Sequence, residues 1–514
     1  MLWLQGAAPH PQPHLDAEGN LLMWNGDVFN REELGEVQGE EEESDTVLVA
    51  RRLGAARCVE EVLEVVGRVR GPWALVYLHR PTDSLWFGRD YFGRSSLLAA
   101  RRPGGLALAS VAPASLPGYA EVPAGGIYRV HLATLQLHLH PWQGRLVEEE
   151  HLTLGRQVEG EHCSLEEQHC TLGSPVAAPL VVERLSEVWE PLEDLPTTDV
   201  FTQLLRRPRV AAAVAGLVEV LRRAVERRVV RHQPRRCKDC LLRPSCGHAA
   251  VAVLLSGGVD SSLLALLVLQ LLPPSAPVDL PNVAFEQAGG GFEVPDRVTG
   301  RAAVSELAAL TGRPELELLC VDVTKEELVE AREERVRHLL HPLNTVLDDS
   351  IGCAVWFAAM GVGRAEGGGA RRSRARVLVL GMGIDEQLGG YSRHRAAFQQ
   401  GGRPALAAEL RRDLARIAAR NLGRDDRVVS DHGLAGRMPF LDEELVTYLL
   451  QLELSLKCDF RLGRGQGEKL VLRLAAHSLG LRGAAREPKR AVQFGSRIAK
   501  MENRKEKAHQ QAVR

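Results

Sequence analysis

A chain of 514 residues, 45% hydrophobic and 25% charged, has room for about two to four domains at ~150 residues each, every one able to bury a core. Lys and Arg (64) nearly cancel Asp and Glu (66), for a formal net charge of -2, so neither a polyanion nor a membrane surface is implied as an obligatory partner. No stretch approaches the ~20 apolar residues of a membrane span, and the opening MLWLQGAAPHPQPHLD has neither the basic start nor the apolar run of a secretory signal, so a cytoplasmic protein acting on small molecules is expected.

Short β-rich runs come first: LLMW (Leu21–Trp24), GPWALVYL (Gly71–Leu78), SLWFG (Ser84–Gly88), LALASV (Leu106–Val111), GIYRVHL (Gly126–Leu132) and TLQLHLH (Thr134–His140). Separated by Gly, Pro and Asp turn signals, they predict a largely antiparallel sheet domain over residues 1–148, with the acidic run Glu40–Glu43 as a solvated loop. Residues 149–208 mix acids, Ser, Pro and Gly with weak periodicity and predict a linker holding at most a short helix. From Arg209 to Arg231, Val, Leu and Ala recur at helical spacing opposite a basic face, an amphipathic helix that opens a second domain over 209–514. The arginines from Arg222 to Arg236 are expected on a solvated face, with no nucleic acid as partner.

Nine cysteines, an odd number scattered along the chain, do not form a disulfide framework. Cys237, Cys240, Cys246 and His248 are spaced C-x2-C-x5-C-x-H, which leaves two readings: a zinc site and an inert thiol-bearing loop. Cys320 and Cys353 lie in apolar segments and are expected as core thiols.

The pattern then changes. VAVLL (Val251–Leu255), NVAF (Asn282–Phe285), LELLCVDV (Leu316–Val323) and RVLVL (Arg376–Leu380) are buried-strand candidates, alternating with helical segments at 262–272, 301–311, 325–340 and 348–361. Such alternation predicts an α/β parallel sheet covered on both faces. The Gly/Arg stretch Glu366–Arg374 reads as a solvated loop.

The first strand feeds Ser256-Gly257-Gly258-Val259-Asp260-Ser261-Ser262 and then an apolar helix. A glycine turn into a helix N-terminus aims unpaired N–H groups and the positive end of the helix dipole at one point, which suits a phosphate. The glycines clear space for an anion, the serines offer hydroxyls, and Asp260 can hold a metal or a metal-bound water. The loop has no lysine, so it is not a Walker loop. Downstream, VLVLGMGIDEQLGGYSRHR (Val377–Arg395) sets a second glycine turn and two acids at the carboxyl end of another strand.

SGGVDSS resembles the pyrophosphate loop of N-type ATP pyrophosphatases. Together with GMGIDEQLGGY, RNLGRDDR (Arg420–Arg427), GRMPFLD (Gly436–Asp442) and GEKLVLR (Gly467–Arg473), it resembles the asparagine synthetase family over most of 250–495. HPLNTVLDDSIGCAVWFA (His341–Ala358) and PKRAVQFGSRIAKME (Pro488–Glu502) match one branch of that family. The resemblance implies an ATP-pyrophosphatase fold using ATP and Mg2+, in which aspartate attacks the α-phosphate and ammonia then attacks the activated carbonyl. It implies that Ser256, Gly257, Gly258, Asp260, Ser261 and Ser262 hold pyrophosphate and magnesium and that Val283 lies beside adenine. Gly381, Gly383 and Asp385 would face the aspartyl-adenylate, with Asp385 sharing the magnesium, and Lys469 would neutralise phosphate charge. Met382 stands where the family has glutamate, Leu380 where it has a hydroxyl residue, and Asn421 where Asp is common. A thioether accepts no proton, so the alternative of a pseudoenzyme or scaffold that keeps only ATP binding stays open, as does a homodimer.

In the first domain, WNGDVFN (Trp24–Asn30), ESDTVLV (Glu43–Val49), GPWALVY (Gly71–Tyr77) and FGRDYFGRSSLL (Phe87–Leu98) resemble the family's class II, Ntn-type glutamine amidotransferase α+β domain. The resemblance implies an oxyanion hole at Asn25 and Gly26 and glutamine contacts at Asp27 and Asp45. That family's nucleophile is a cysteine after the initiator Met, its α-amine serving as base. Here the chain reads Met1-Leu2-Trp3, so the expectation is a truncated gene model or isoform, with genuine loss of the cysteine as the alternative; either way the polypeptide does not hydrolyse glutamine and its sheet has an unprotected edge.

Overall fold

The computed structural model describes residues 10–36, 43–103, 105–143, 199–232 and 247–501. The chain falls into two units, the first made of Met1–Leu180, Arg337–Asn344 and Ala415–Arg427, the second of Val181–Val336, Thr345–Leu414 and Val428–Arg514.

In the first unit, β1 (His14–Leu15), β2 (Leu21–Gly26), β3 (Trp73–His79) and β4 (Ser84–Arg89) are followed by β5 (Leu98–Arg102), β6 (Gly105–Ala109) and β7 (Ala120–Glu121), then β8 (Gly126–His131) and β9 (Leu137–Pro141). They build an antiparallel six-stranded sheet in the order β1-β2-β3-β4-β8-β9 and a three-stranded sheet β6-β5-β7. Alternation along the strands sorts the side chains by face. Ala74, Phe87 and Tyr128 pack with Leu97, Ala99 and Val122 between the two sheets. Trp73, Tyr77 and His79 point to the other face, where His79 Nε2 lies 3.1 Å from the carbonyl of Ala56. There sit α1 (Asp45–Gly54) and α2 (Val59–Arg68), two helices that the reading of β-rich runs did not single out. The antiparallel expectation holds, with β1, β5 and β7 added to it. Arg427 bonds the Ser96 hydroxyl at 2.7 Å and pairs with Glu121, which Arg89 also meets at 2.9 Å, so the 415–427 segment is fastened to this unit.

In the second unit, the helix expected from Arg209 runs as α3 (Pro208–Glu226), continued by a π-turn over Arg227–Arg231. Part of its basic face is not left to solvent: Arg227 and Arg228 both clasp Asp442 at 2.7 Å, and Arg228 is buried, whereas Arg231 is exposed. That corrects the solvated-face expectation for Arg227 and Arg228, because residues far along the chain supply the acids; Arg235 and Arg236 lie outside the described residues.

The strands are β10 (Val251–Val253), β11 (Val278–Asp279), β12 (Pro281–Phe285), β13 (Leu319–Val323), β14 (Val362–Ala365), β15 (Ala370–Arg372), β16 (Val377–Val379) and β17 (Ala435–Arg437). Two ladders, β11-β10-β16-β17 and β12-β13-β14-β15, are recorded. The Leu255 N–H donates to Pro281 O at 3.0 Å and the Leu319 N–H to Leu280 O at 2.9 Å, so β11 and β12 are two halves of one strand and the ladders form one sheet. All pairs are parallel except β13-β14 and β14-β15. The β14-β15 hairpin takes up part of the Gly/Arg stretch expected as a loop.

The helices that bear on the site are α4 (Val259–Leu271), α5 (Pro295–Thr311), α6 (Val346–Met360), α7 (Ile384–Leu388), α8 (Leu470–Ser478) and α9 (Val492–Gly495). Almost every residue of α4 is buried, the mark of a helix enclosed on all sides, and this fixes the loop before it. Cys320 and Cys353 are core thiols as expected. The Cys237, Cys240 and Cys246 cluster lies outside the described residues, as do the acidic run Glu40–Glu43, except Glu43, and nearly all of the expected linker. Among the described residues no helix is long and apolar enough to cross a membrane.

Candidate active site

From β10 the chain crosses to β11/β12 and β13 on one side, while β16 lies on the other. The strand order therefore reverses between β10 and β16, and in open parallel sheets ligands bind at the carboxyl ends flanking that point. The two glycine turns singled out in the sequence leave those two strand ends.

The glycines of the first turn do different work. Gly257 has φ +82°, and a Cβ there would lie 2.2 Å from the Thr299 backbone carbon; its bareness lets α5 approach. A Cβ on Gly258 would meet only Ser256 Oγ at 3.6 Å, so its bareness serves open space at the N-terminus of α4. Gly257→Ala is therefore expected to cost about 2–4 kcal/mol in urea unfolding, from left-handed strain plus overpacking. Gly258→Ala should stay within about 1 kcal/mol of the parent; equal losses of stability in both would refute the distinction.

Lys469 is the centre of the charge arrangement. It takes φ +54° at the start of α8, its N–H donates to Leu388 O at 2.9 Å, and its buried ammonium lies 2.7 Å from Asp260 Oδ2 and 3.0 Å from Asp385 Oδ1. Lys489 reaches Asp385 Oδ2 at 2.5 Å and stands 4.0 Å from Asp260 Oδ2. Burial by itself would raise the Asp385 carboxyl, but Lys469 and Lys489 outweigh it and hold Asp385 well below the usual carboxylate range. Burial opposes the Lys489 charge too, and Asp385 and Asp260 overcome that, so its ammonium is held well above its ordinary value. Next to Asp385, burial and that neighbour's charge push Glu386 up to about 7 while the Tyr391 hydroxyl donates to it at 2.6 Å.

Asp260, Lys469 and Lys489 line an open pocket together with, among others, Ser256, Gly258 and Asp296. Asp260 Oδ1 is buried there without a hydrogen-bond partner, so Asp260 suits a magnesium-bound phosphate. Asp385 fits less well as a ligand, since each of its oxygens already accepts from a lysine. Ser261 Oγ bonds the Gly258 carbonyl at 3.3 Å and lies 3.2 Å from Ser256 Oγ, shaping the loop, while Ser262 is fully buried. Gly381 lies against Asp260, a Cβ there coming within 3.4 Å of the Asp260 Cβ. Gly383 has φ +96° and makes room for Leu441, and Gly390 makes room for the Asp385 carboxylate. Val283 is buried on β12 and is not among the pocket-lining residues. Met382 is half-buried in the turn. The sequence reading missed Lys489 and Asp296 as site residues, although PKRAVQFG carried the first: a basic pair after Pro was its signal.

In the first unit, Asn25 and Gly26 end β2, and a Cβ on Gly26 would lie 2.3 Å from Pro72 O, so this glycine lets β2 and β3 meet. The Asp27 N–H donates to Pro72 O at 2.9 Å. Asp45 accepts from the Val28 N–H at 2.8 Å and pairs with Arg31. Burial raises Asp45 to about 7 against the pull of Arg31, with Asp27 adding to the rise. Asp45 thus lies beside the chain that follows Asn25, Gly26 and Asp27, and Arg31, which the sequence did not flag, pairs with Asp45.

The asparagine synthase family model matches residues 246–404 and 399–512, and a glutamine amidotransferase domain model matches residues 4–116. The chain is similar to asparagine synthetase domain-containing protein 1 of Gallus gallus, 38% identical over 570 residues, 97% of this chain and 88% of that one. The protein of that name from Homo sapiens is 36% identical over 565 residues, 97% of this chain and 87% of that one. A putative glutamine-hydrolysing asparagine synthetase of Methanocaldococcus jannaschii is 29% identical over 224 residues, 43% of this chain and 36% of that one. The resemblance read from the glycine turns is borne out: with an amidotransferase domain ahead of the parallel sheet that bears the Asp260, Lys469 and Asp385 cluster, the chain belongs to the asparagine synthase family.

Proposed function

We propose that the second unit binds Mg-ATP in the Ser256–Ser262 pocket and activates a carboxylate, aspartate by family precedent, as an acyl-adenylate that ammonia then converts to the amide. The observation that carries this is the unpartnered Asp260 Oδ1, buried beside a helix N-terminus and two lysines. A carboxylate oxygen of the substrate attacks the α-phosphorus, the bond to the bridging β-oxygen breaks, and pyrophosphate leaves with that electron pair. Lys469 and Lys489, balanced by Asp260 and Asp385 before the nucleotide enters, supply positive charge where it accumulates. Magnesium, when bound, neutralises phosphate oxygens, and Asp260 is the side chain that would hold it. Aspartate-dependent exchange of labelled pyrophosphate into ATP tests the reading. Exchange that needs both magnesium and aspartate supports it; none with any amino-acid carboxylate refutes it.

Met382 favours a second reading, in which the nucleotide site is kept and amide formation is lost. An attacking ammonia must shed a proton as the amide forms, and losing a general base costs about 10²–10⁴ in rate. Met382→Glu is therefore expected to raise ammonium-dependent asparagine yield while leaving pyrophosphate exchange unchanged. No gain would argue against a proton-accepting role for that position.

A further inference from the structure

The stretch from Glu487 to Ser496 brings Lys489 to Asp385, and contacts outside the proposed chemistry hold its path. Before Lys489, Arg473 donates to the carbonyls of Ala485 at 2.8 Å and Glu487 at 2.9 Å. Beyond it, the Phe285 N–H donates to Ser496 O at 3.0 Å. Between these anchors the stretch meets Asp296. A Cβ built on Gly495 would lie 2.0 Å and 2.1 Å from the two Asp296 carboxylate oxygens, so the carboxylate rests on the Gly495 backbone. Arg490 stands 3.8 Å from Asp296 Oδ1.

Asp296 is the second residue of α5, whose start is locked to the phosphate loop. Asn282 Nδ2 donates to the carbonyls of Asp296 at 2.9 Å and Leu255 at 2.7 Å, and Thr299 Oγ1 to Ser256 O at 2.7 Å. Only 6% of Asp296 is exposed, and a carboxylate kept at that depth costs free energy unless its charge is used. Burial pushes it up to about 7, with Arg490 and then Lys489 opposing. One buried side chain therefore spans the phosphate-loop platform and the stretch that delivers Lys489.

We propose that Asp296 is a positioning residue that registers the 487–496 stretch, and with it Lys489, against the phosphate loop. What Lys489 then does rests on the nucleotide reading; its placement does not. The test is competitive acylation of lysines by acetic anhydride on the full chain without nucleotide, read by mass spectrometry. In Asp296→Asn and in Gly495→Ala, Lys489 is expected to react about fivefold faster, the change that loss of a partly exposed ion pair carries. Lys469, which lies off this stretch, should stay as protected as in the parent. Unchanged Lys489 reactivity in both variants overturns the proposal, as does Lys469 becoming reactive alongside it, which marks general loosening. In pyrophosphate exchange, kcat should fall with KM for ATP retained, and Asp296→Asn/Lys489→Ala should be no slower than Lys489→Ala; additive losses overturn the proposal. A parent chain that performs no exchange refutes the nucleotide reading and leaves the acylation result to decide the role of Asp296.

Discussion

Asp260→Ala is expected to lower magnesium-dependent ATP affinity by about 100-fold or more, the loss that follows when one member of a buried charge pair is truncated at a binding site. Two effects combine. The substitution removes a buried carboxylate oxygen that has no hydrogen-bond partner, and it frees Lys469 from its 2.7 Å contact. Stability should fall by only about 1–2 kcal/mol: the acid leaves the first turn of α4, but Lys469 keeps Asp385 at 3.0 Å. Asp260→Asn should lose nearly as much metal-dependent affinity, since an amide retains an acceptor and lacks the charge. Calorimetry with and without magnesium reads both variants, and undiminished binding by either would remove Asp260 from the site.

The first glycine turn was legible because three signals coincide within twelve residues: a buried strand, a Gly-Gly pair and an apolar helix. Helix α5 was expected from residue 301 and begins at Pro295, because Asp296, Thr299 and Gly300 carry no apolar periodicity: Asp296 meets Gly495, Thr299 bonds the phosphate loop, and Gly300 lies against Asn282 and Leu318. Lys489 follows a proline in irregular chain, where spacing says nothing about which carboxylate it will meet. The arginines of α3 show the same limit: a basic face is visible in sequence, but Asp442, which neutralises it, is more than two hundred residues away. Local pattern predicts backbone and burial, whereas ion-pair partners depend on how strands are ordered in the sheet.

That limit bears on Lys469, which the family resemblance assigned to the phosphates and which the fold also uses to hold two acids together. Lys469→Met is expected to cut pyrophosphate exchange by about 10²–10³, as removal of one preorganised transition-state charge does. It should also cost about 3 kcal/mol of stability, because breaking a buried pair strands its partner. The pH dependence separates these effects. Asp385 has a folded pKa held below its unfolded value of about 3.9, so in the parent its contribution is fully present above that value and is lost as pH falls through the folded pKa. In Lys469→Met only Lys489 remains to oppose burial, the Asp385 pKa rises, and that contribution shrinks. The stability gap between parent and variant should thus be flat from pH 8 down to the variant's raised Asp385 pKa and close below it, where the variant's Asp385 takes up a proton while the parent's stays ionised. Urea unfolding across that range measures it. A gap that widens on acidification would mean that Lys469 does not hold Asp385 ionised, and that the charge cluster at the two glycine turns is balanced by other groups.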